Sequence, residues 1–182
     1  MDSFIFQQIN NLAFKWLLVD VIAIFFAKYF GYILVFFLFL FLFKNFKKYS
    51  KMVFSAIISA IFARFIIVEI IRFFYYHPRP FIDNQINLLL THSNTSSLPS
   101  GHAAFFFALS TIVFLFLKRI KPKFWQETSI FYFLSSFLIS ISRVFCGLHF
   151  PFDIFVGFLI GILSGWLIFH LFVSIKLKGR FK

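Results

Sequence analysis

The sequence predicts an all-α integral membrane protein, a polytopic bundle of five transmembrane helices with an interfacial helix at its N-terminus. Three observations predict it. Of the 182 residues, 61% are hydrophobic and 13% are charged. A soluble domain is about 45–50% apolar and about 25% charged. Five apolar runs, at roughly 24–43, 52–76, 100–117, 128–146 and 152–175, each reach the length of about 17–25 residues that crosses a bilayer. Basic residues collect between and after those runs, as they do at the cytoplasmic ends of membrane helices.

The elements follow in order. Residues 3–20 carry Ile5, Ile9, Leu12 and Trp16 on one stripe, with Gln7, Gln8, Asn10, Asn11 and Lys15 around the rest. That pattern suits a helix lying in the interface; the alternative is a sixth span that puts the N-terminus inside. The five runs must be helical, because lipid offers the backbone no hydrogen-bond partner. Lys44, Lys47, Lys48 and Lys51 follow the first run, Lys118, Arg119, Lys121 and Lys123 follow the third, and Lys176, Lys178, Arg180 and Lys182 follow the fifth. These three segments are expected in the cytoplasm. The 77–99 loop, the 146–152 connection and the N-terminus then lie outside. Neither a long polar insert nor a repeat interrupts residues 1–182, so one domain is expected. No basic stretch with a small-residue cleavage site opens the chain, so no removable signal peptide is expected.

Composition also excludes classes. Disordered chains lack apolar and aromatic residues, whereas this one has 24% aromatic residues and 35 Phe; the phenylalanines read as lipid-facing apolar filler. The net charge of +12 would suggest nucleic acid in a soluble protein, but its clustering at span ends argues for the membrane. The lone Cys146 excludes an intrachain disulfide framework.

Some charges sit where lipid should be. Arg72, Arg79 and Arg143 fall at or near the outer ends of different runs, and ionisable groups at membrane depth are costly enough to mark function. His102, His149 and Asp153 belong to the same face. Arginine is the planar donor suited to phosphate oxygens, and histidine can act as nucleophile or proton donor near neutral pH. Pro99-Ser100-Gly101-His102 reads as a turn into a helix whose free N–H groups can bind an anion. Asp153, in the first turn after Pro151, could accept the ring N–H of His149 and leave its other nitrogen free. The constellation points to phosphoryl transfer from a lipid phosphate.

Three blocks carry a resemblance: Arg72-x6-Arg79-Pro80, Pro99-Ser100-Gly101-His102 and Ser142-Arg143-x5-His149-x3-Asp153. In this order they resemble the type 2 phosphatidic acid phosphatase superfamily. Arg72 stands where that pattern usually has lysine, which keeps the cation but not its geometry. The small size, the opening FQQINNLAFKW, the HPRPF stretch and THSNTSSLPSGH resemble more closely the bacterial undecaprenyl-diphosphate phosphatase branch, the bacitracin-resistance type. The resemblance implies catalysis by His149 as nucleophile, Asp153 as its orienting acid and His102 as proton donor to the leaving oxygen. It implies that Arg72, Arg79, Arg143, Ser100 and the Gly101 N–H hold the phosphoryl oxygens. It implies no metal and no cofactor; Asp83 and Asp153 are too few carboxylates for an oxygen-rich cation cage. The expected partners are a lipid phosphate and membrane lipids, not nucleic acid, with the site on the outer face of the plasma membrane. A phosphatidic acid or phosphatidylglycerophosphate phosphatase would carry the same catalytic residues, and a non-enzymatic lipid-binding protein is the reading from another class.

Other residues are weighed more plainly. Glu69 lies one turn from Arg72 and pairs with it or tunes it. Arg64, mid-run, is expected to find an internal partner rather than substrate. His77 and His92 read as solvated loop histidines, His170 and Cys146 as structural. Gly157, Gly161 and Gly165 line one face of the last run and are expected to pack against another helix of the same chain.

Overall fold

The computed structural model describes residues 2–83 and 86–174, with only the backbone described at Asp83, Val173 and Ser174. The basic cluster at 176–182 lies outside the described residues. Five helices are long and apolar enough to cross a membrane: α2 (Leu17–Lys44), α3 (Phe46–Phe74), α5 (Gly101–Ile120), α6 (Trp125–Phe145) and α7 (Pro151–Phe172). The short α1 (Asp2–Asn10) precedes them and α4 (Pro80–Asp83) lies in the loop after α3. At about 1.5 Å per residue, the 20 residues of α5 cover the roughly 30 Å hydrocarbon core. The first two spans begin six or seven residues earlier than their apolar runs. A helix continues through the polar interface, and a hydropathy run marks only its lipid portion.

The N-terminal expectation is corrected in extent. The interfacial helix stops at Asn10 instead of running to residue 20. Its nine residues reach about 13 Å, which is too short to cross. Side-chain chemistry ends it: the Asn10 amide donates to the carbonyls of Asn87 at 2.8 Å and Phe145 at 2.9 Å, while its oxygen accepts from the Asn87 N–H at 2.9 Å. The chain then turns through Phe14, at φ 64°, whose N–H is taken by Asp20. Trp16 therefore lies at the start of α2 rather than on the interfacial stripe.

Helix α5 is the centre of the bundle. Of its apolar stretch 67% is buried, against 22% for α2. It packs on α3, α6 and α7. Its start is fixed by Ser100, whose Oγ accepts from the Ala103 N–H, and its end by Lys121 in the left-handed region at φ 44°. The α5–α6 contact is polar glue of the kind membrane helices use: Ser110 Oγ lies 2.8 Å from Ser136 Oγ and donates to the Tyr132 carbonyl at 3.0 Å. The α5–α7 contact is a close approach. A Cβ on Gly157 would lie 2.5 Å from the Ser100 carbonyl, one on Gly161 2.7 Å from the Ala104 carbonyl, and one on Gly165 2.6 Å from Thr111 Cβ. The three glycines thus pack within the chain, as their spacing suggests. Lipid is left to side chains such as Phe36, Phe43, Phe73, Phe74 and Leu163, all exposed.

Antiparallel connection puts the first two basic clusters at one end. Lys44 Nζ lies 3.8 Å from the centre of the Phe124 ring, tying the first cytoplasm-like connection to the second. The starts of α5 and α7 lie at the other end, together with α1, where Phe6 meets Phe150 at 5.2 Å between ring centroids.

Because the Gly161 neighbour is backbone, Gly161→Ala is expected to lower stability by about 1–3 kcal/mol. Leu163→Ala, on the lipid face of the same helix, is expected to change it far less. Thermal unfolding of the two detergent-solubilised variants checks this, and equal effects would contradict the close α5–α7 approach.

Candidate active site

The site is assembled from the ends of four spans and the loop between α3 and α5. His149 and Asp153 are set by the start of α7. Pro151 suits the first helical position, where no N–H is needed, and the Asp153 carboxylate accepts the Phe150 N–H at 2.8 Å. One turn separates the two residues, which brings His149 Nδ1 to 3.3 Å from Asp153 Oδ2. Both are fully buried. The backbone locks this turn to the next motif, since the Ser100 N–H donates to the Asp153 carbonyl at 3.0 Å.

Arg79 closes the site from the loop. Its Nε donates to the Thr95 carbonyl at 2.9 Å, its Nη2 to Thr95 Oγ1 at 3.2 Å, and its Nη1 to the Leu148 carbonyl at 2.9 Å. Nη1 also lies 3.4 Å from His149 Nε2. Guanidinium has only donors, so this contact requires a lone pair on Nε2. The ring proton is then on Nδ1, facing Asp153. Burial first, and then the positive charges of Arg143 and Arg79, hold His149 well below the usual histidine range. The ring is therefore neutral at neutral pH, with the Nε2 lone pair turned toward Arg79. Burial also pulls the Arg79 guanidinium down to about 10, which leaves it cationic under the same conditions.

The other expected residues lie at the same end of the bundle. Arg72 Nη2 donates to the Pro99 carbonyl at 2.8 Å, and Arg143 Nη1 to the Ala27 carbonyl at 2.9 Å. The Nε atoms of Arg72 and Arg143 are buried and have no hydrogen-bond partner among the described residues. An unsatisfied buried donor costs about 1–3 kcal/mol, a cost that an oxyanion would remove. Ser100 and Gly101 begin α5, and His102 beside them faces a cavity between α2, α3 and α5. Among the described residues no cluster of three His, Cys, Asp or Glu side chains could hold a metal ion.

Sequence reasoning missed Ser97. Its buried hydroxyl donates to Asp153 Oδ2 and lies 3.3 Å from His149 Nδ1, so it sits between acid and base. The signal was the polar run Thr95-Ser96-Ser97 in an otherwise apolar chain. His77 was read as a solvated loop residue, yet its Nδ1 lies 3.8 Å from Asp153 Oδ1 and its ring is only partly exposed. Glu69 does pair with Arg72, at 3.3 Å, and also with Arg64, which thereby has the internal partner expected of it. Cys146 is a buried free cysteine, and burial pushes its thiol up to about 12, the setting of an unreactive thiol.

Comparison with known proteins agrees with the architecture. A family model described as the PAP2 superfamily matches residues 53–176. The Undecaprenyl-diphosphatase BcrC of Bacillus subtilis is 30% identical over 93% of this chain and 83% of its own length. The crystal structure of Aquifex aeolicus LpxE superposes with a TM-score of 0.69 at 31% identity, covering 92% of this chain and 94% of that one. A transmembrane PAP2 type phosphatidylglycerolphosphate phosphatase from Bacillus subtilis has the same fold, with a TM-score of 0.70 at 22% identity over 100% of this chain and 86% of that one. With five apolar spans, the three blocks in order and a matching family model over most of its length, the chain belongs to the PAP2 superfamily of membrane lipid phosphatases.

Proposed function

We propose that the protein removes the terminal phosphate of an isoprenoid diphosphate, undecaprenyl diphosphate in particular, as one catalytic domain over residues 1–182. The observation that carries the chemistry is the His149 ring, neutral, with Nδ1 turned to Asp153 and Nε2 beside Arg79. Nε2 attacks the terminal phosphorus and forms a P–N bond. The bridging P–O bond breaks, its electron pair stays with the lipid phosphate, and His102 supplies the proton. Water then attacks the phosphohistidine, His102 takes its proton, and inorganic phosphate leaves. Asp153 and Ser97 hold the imidazole in the required tautomer, in the manner of a triad acid. Arg72, Arg79 and Arg143, with Ser100 and the Gly101 N–H, neutralise the phosphoryl oxygens, which is most of what phosphoryl transfer asks of a protein.

The choice of lipid is supported by the likeness to the undecaprenyl-diphosphatase over most of both chains. The side of the membrane is supported by charge: two basic clusters share the end opposite His149, and such clusters stay in the cytoplasm. An outward site meets a diphosphate at headgroup level and leaves its chain in lipid.

The purified protein in detergent with EDTA is expected to release phosphate from undecaprenyl diphosphate in preference to phosphatidic acid and phosphatidylglycerophosphate. Preference for a glycerophospholipid would replace the substrate, and loss of activity reversed by Mg²⁺ would replace the arginine-based mechanism.

His149→Ala is expected to reduce kcat by at least about 10³-fold, on the scale seen when a covalent nucleophile is removed. Its unfolding temperature should stay close to wild type. A turnover near wild type would sink the covalent mechanism.

Sidedness is read with an impermeant thiol reagent on single cysteines in a Cys146→Ala background. Cysteine substituted at Asn94 should react in intact cells and cysteine substituted at Gln126 should not; both positions are exposed. The reverse pattern would put the site in the cytoplasm and favour a glycerophospholipid.

A further inference from the structure

A cavity of about 320 Å³ opens beside the phosphate site between α2, α3 and α5. Most of its wall is apolar, including Phe26, Val35, Phe65, Phe105 and Ile139. Its charged side chains are Lys28 and Arg64, and His102 lines it with them. We propose that Lys28 and Arg64 seat the inner, lipid-linked phosphate of a diphosphate ester, and that the apolar wall takes the start of its chain. The proposal rests on the diphosphatase reading above and deepens it.

Continuity is the first argument. Gly101 and His102 line this cavity, and Ser100 beside them donates its N–H to the Asp153 carbonyl of the candidate site. The Ala27 carbonyl that holds Arg143 belongs to a residue of the cavity wall. Arg64 lies against the first residue of α5, where a Cβ on Gly101 would come within 2.8 Å of Arg64 Cζ. Glu69 links Arg64 to Arg72. A terminal phosphate held by Arg72, Arg79 and Arg143 therefore has its bridging oxygen toward His102 and its inner phosphate toward this second pair of cations.

Backbone irregularity is the second, independent argument. Lys28 lies in a π-helical turn of α2, Phe25–Tyr29, and Arg64 in one of α3, Phe62–Ile67. Single π turns inside α-helices are rare and concentrate at functional sites. Of the three among the described residues, one, Phe169–Ser174, lies at the far end of α7; the other two sit on the facing helices α2 and α3, each holds a cation, and both cations line one cavity.

Charge is the third. Arg64 is ten residues before the end of α3, about 15 Å down the helix. It rests on the positive end of α5, where a cation is disfavoured. Among the described residues Glu69 is the carboxylate that pairs with it, and Glu69 is shared with Arg72. Around the site stand five cations, Lys28, Arg64, Arg72, Arg79 and Arg143, while Asp153 faces His149. A phosphate monoester brings about −1.5 to −2 charges, and a diphosphate ester adds a further ionised oxygen. Cleavage of a diphosphate also moves negative charge onto the inner phosphate as the bridging bond breaks, so cations placed there stabilise the transition state. For a monophosphate ester the same cations have no phosphate to hold.

The test measures kcat/KM on undecaprenyl diphosphate and the inhibition constant of inorganic phosphate for wild type, Lys28→Ala, Arg64→Ala and Arg64→Lys. Each alanine variant is expected to lose about tenfold or more in kcat/KM, as for a charged hydrogen bond, with the phosphate inhibition constant unchanged within about twofold. Arg64→Lys should recover most of the loss. Lys28 is exposed, so its variant decides the matter if Arg64→Ala does not fold. Unchanged kcat/KM in Lys28→Ala, or a parallel weakening of phosphate inhibition, overturns the second phosphate seat while leaving the diphosphatase reading intact. A wild type inactive on the diphosphate overturns both.

Discussion

The guanidinium of Arg79 is the constraint around which the candidate site is built. It is almost fully buried, and a buried charge survives only when its donors are taken. Backbone carbonyls of Thr95 and Leu148 take them. Those carbonyls come from the loop that leads into α5 and from the turn that holds His149, so satisfying one arginine fixes the loop before α5 against the turn before α7. Ser97 is thereby lodged between His149 and Asp153, and His149 Nε2 is left beside an Arg79 donor. Replacing Arg79 would leave two carbonyls and a buried histidine to find new partners.

The same economy governs the bundle below. Helix α5 meets α7 across three glycines and α6 across a line of serines. Lipid supplies no hydrophobic drive between helices, so close backbone approach and shared hydroxyls must supply the association. That approach is what allows Ser100 at the head of α5 to reach the backbone of Asp153. Site geometry and helix packing are therefore one arrangement: a shift of α7 by the width of a methyl group would move Asp153 and the His149 ring it faces.

Two features set this site apart from a minimal phosphate pocket. Glu69 ties Arg72 to Arg64, extending the cationic surface away from His149. The π turns at Lys28 and Arg64 add a residue to their helical turns and aim both cations at one cavity. Together they extend the cationic surface from Arg72 to the cavity lined by Lys28, Arg64 and His102. The arginine in place of the usual lysine at position 72 fits this extension, because a guanidinium can engage Glu69 and the Pro99 carbonyl through different nitrogens, which a single ammonium would do less well.

Much of this was legible in residue order. Five spans follow from apolar length alone, because the bilayer imposes it. The motif arginines, both histidines and Asp153 stood out because charge in an apolar chain needs a reason, and the i,i+4 spacing of His149 and Asp153 already put acid and base on one helical turn. The residues that escaped were those whose role depends on neighbours far along the chain. Ser97 is 52 residues from His149 and looks like any loop serine until Arg79 folds that loop inward. Asn10, 135 residues from Phe145, ends the first helix by a contact that helical periodicity cannot contain. The π turns have no compositional mark either. Sequence by itself determined the membrane fold and the ionisable groups, because burial energies of apolar and charged residues are local properties. Tertiary structure decided which atom of His149 is free, what holds Asp153, and where the extra cations point, because hydrogen-bond partners and helix register are set only when distant segments meet.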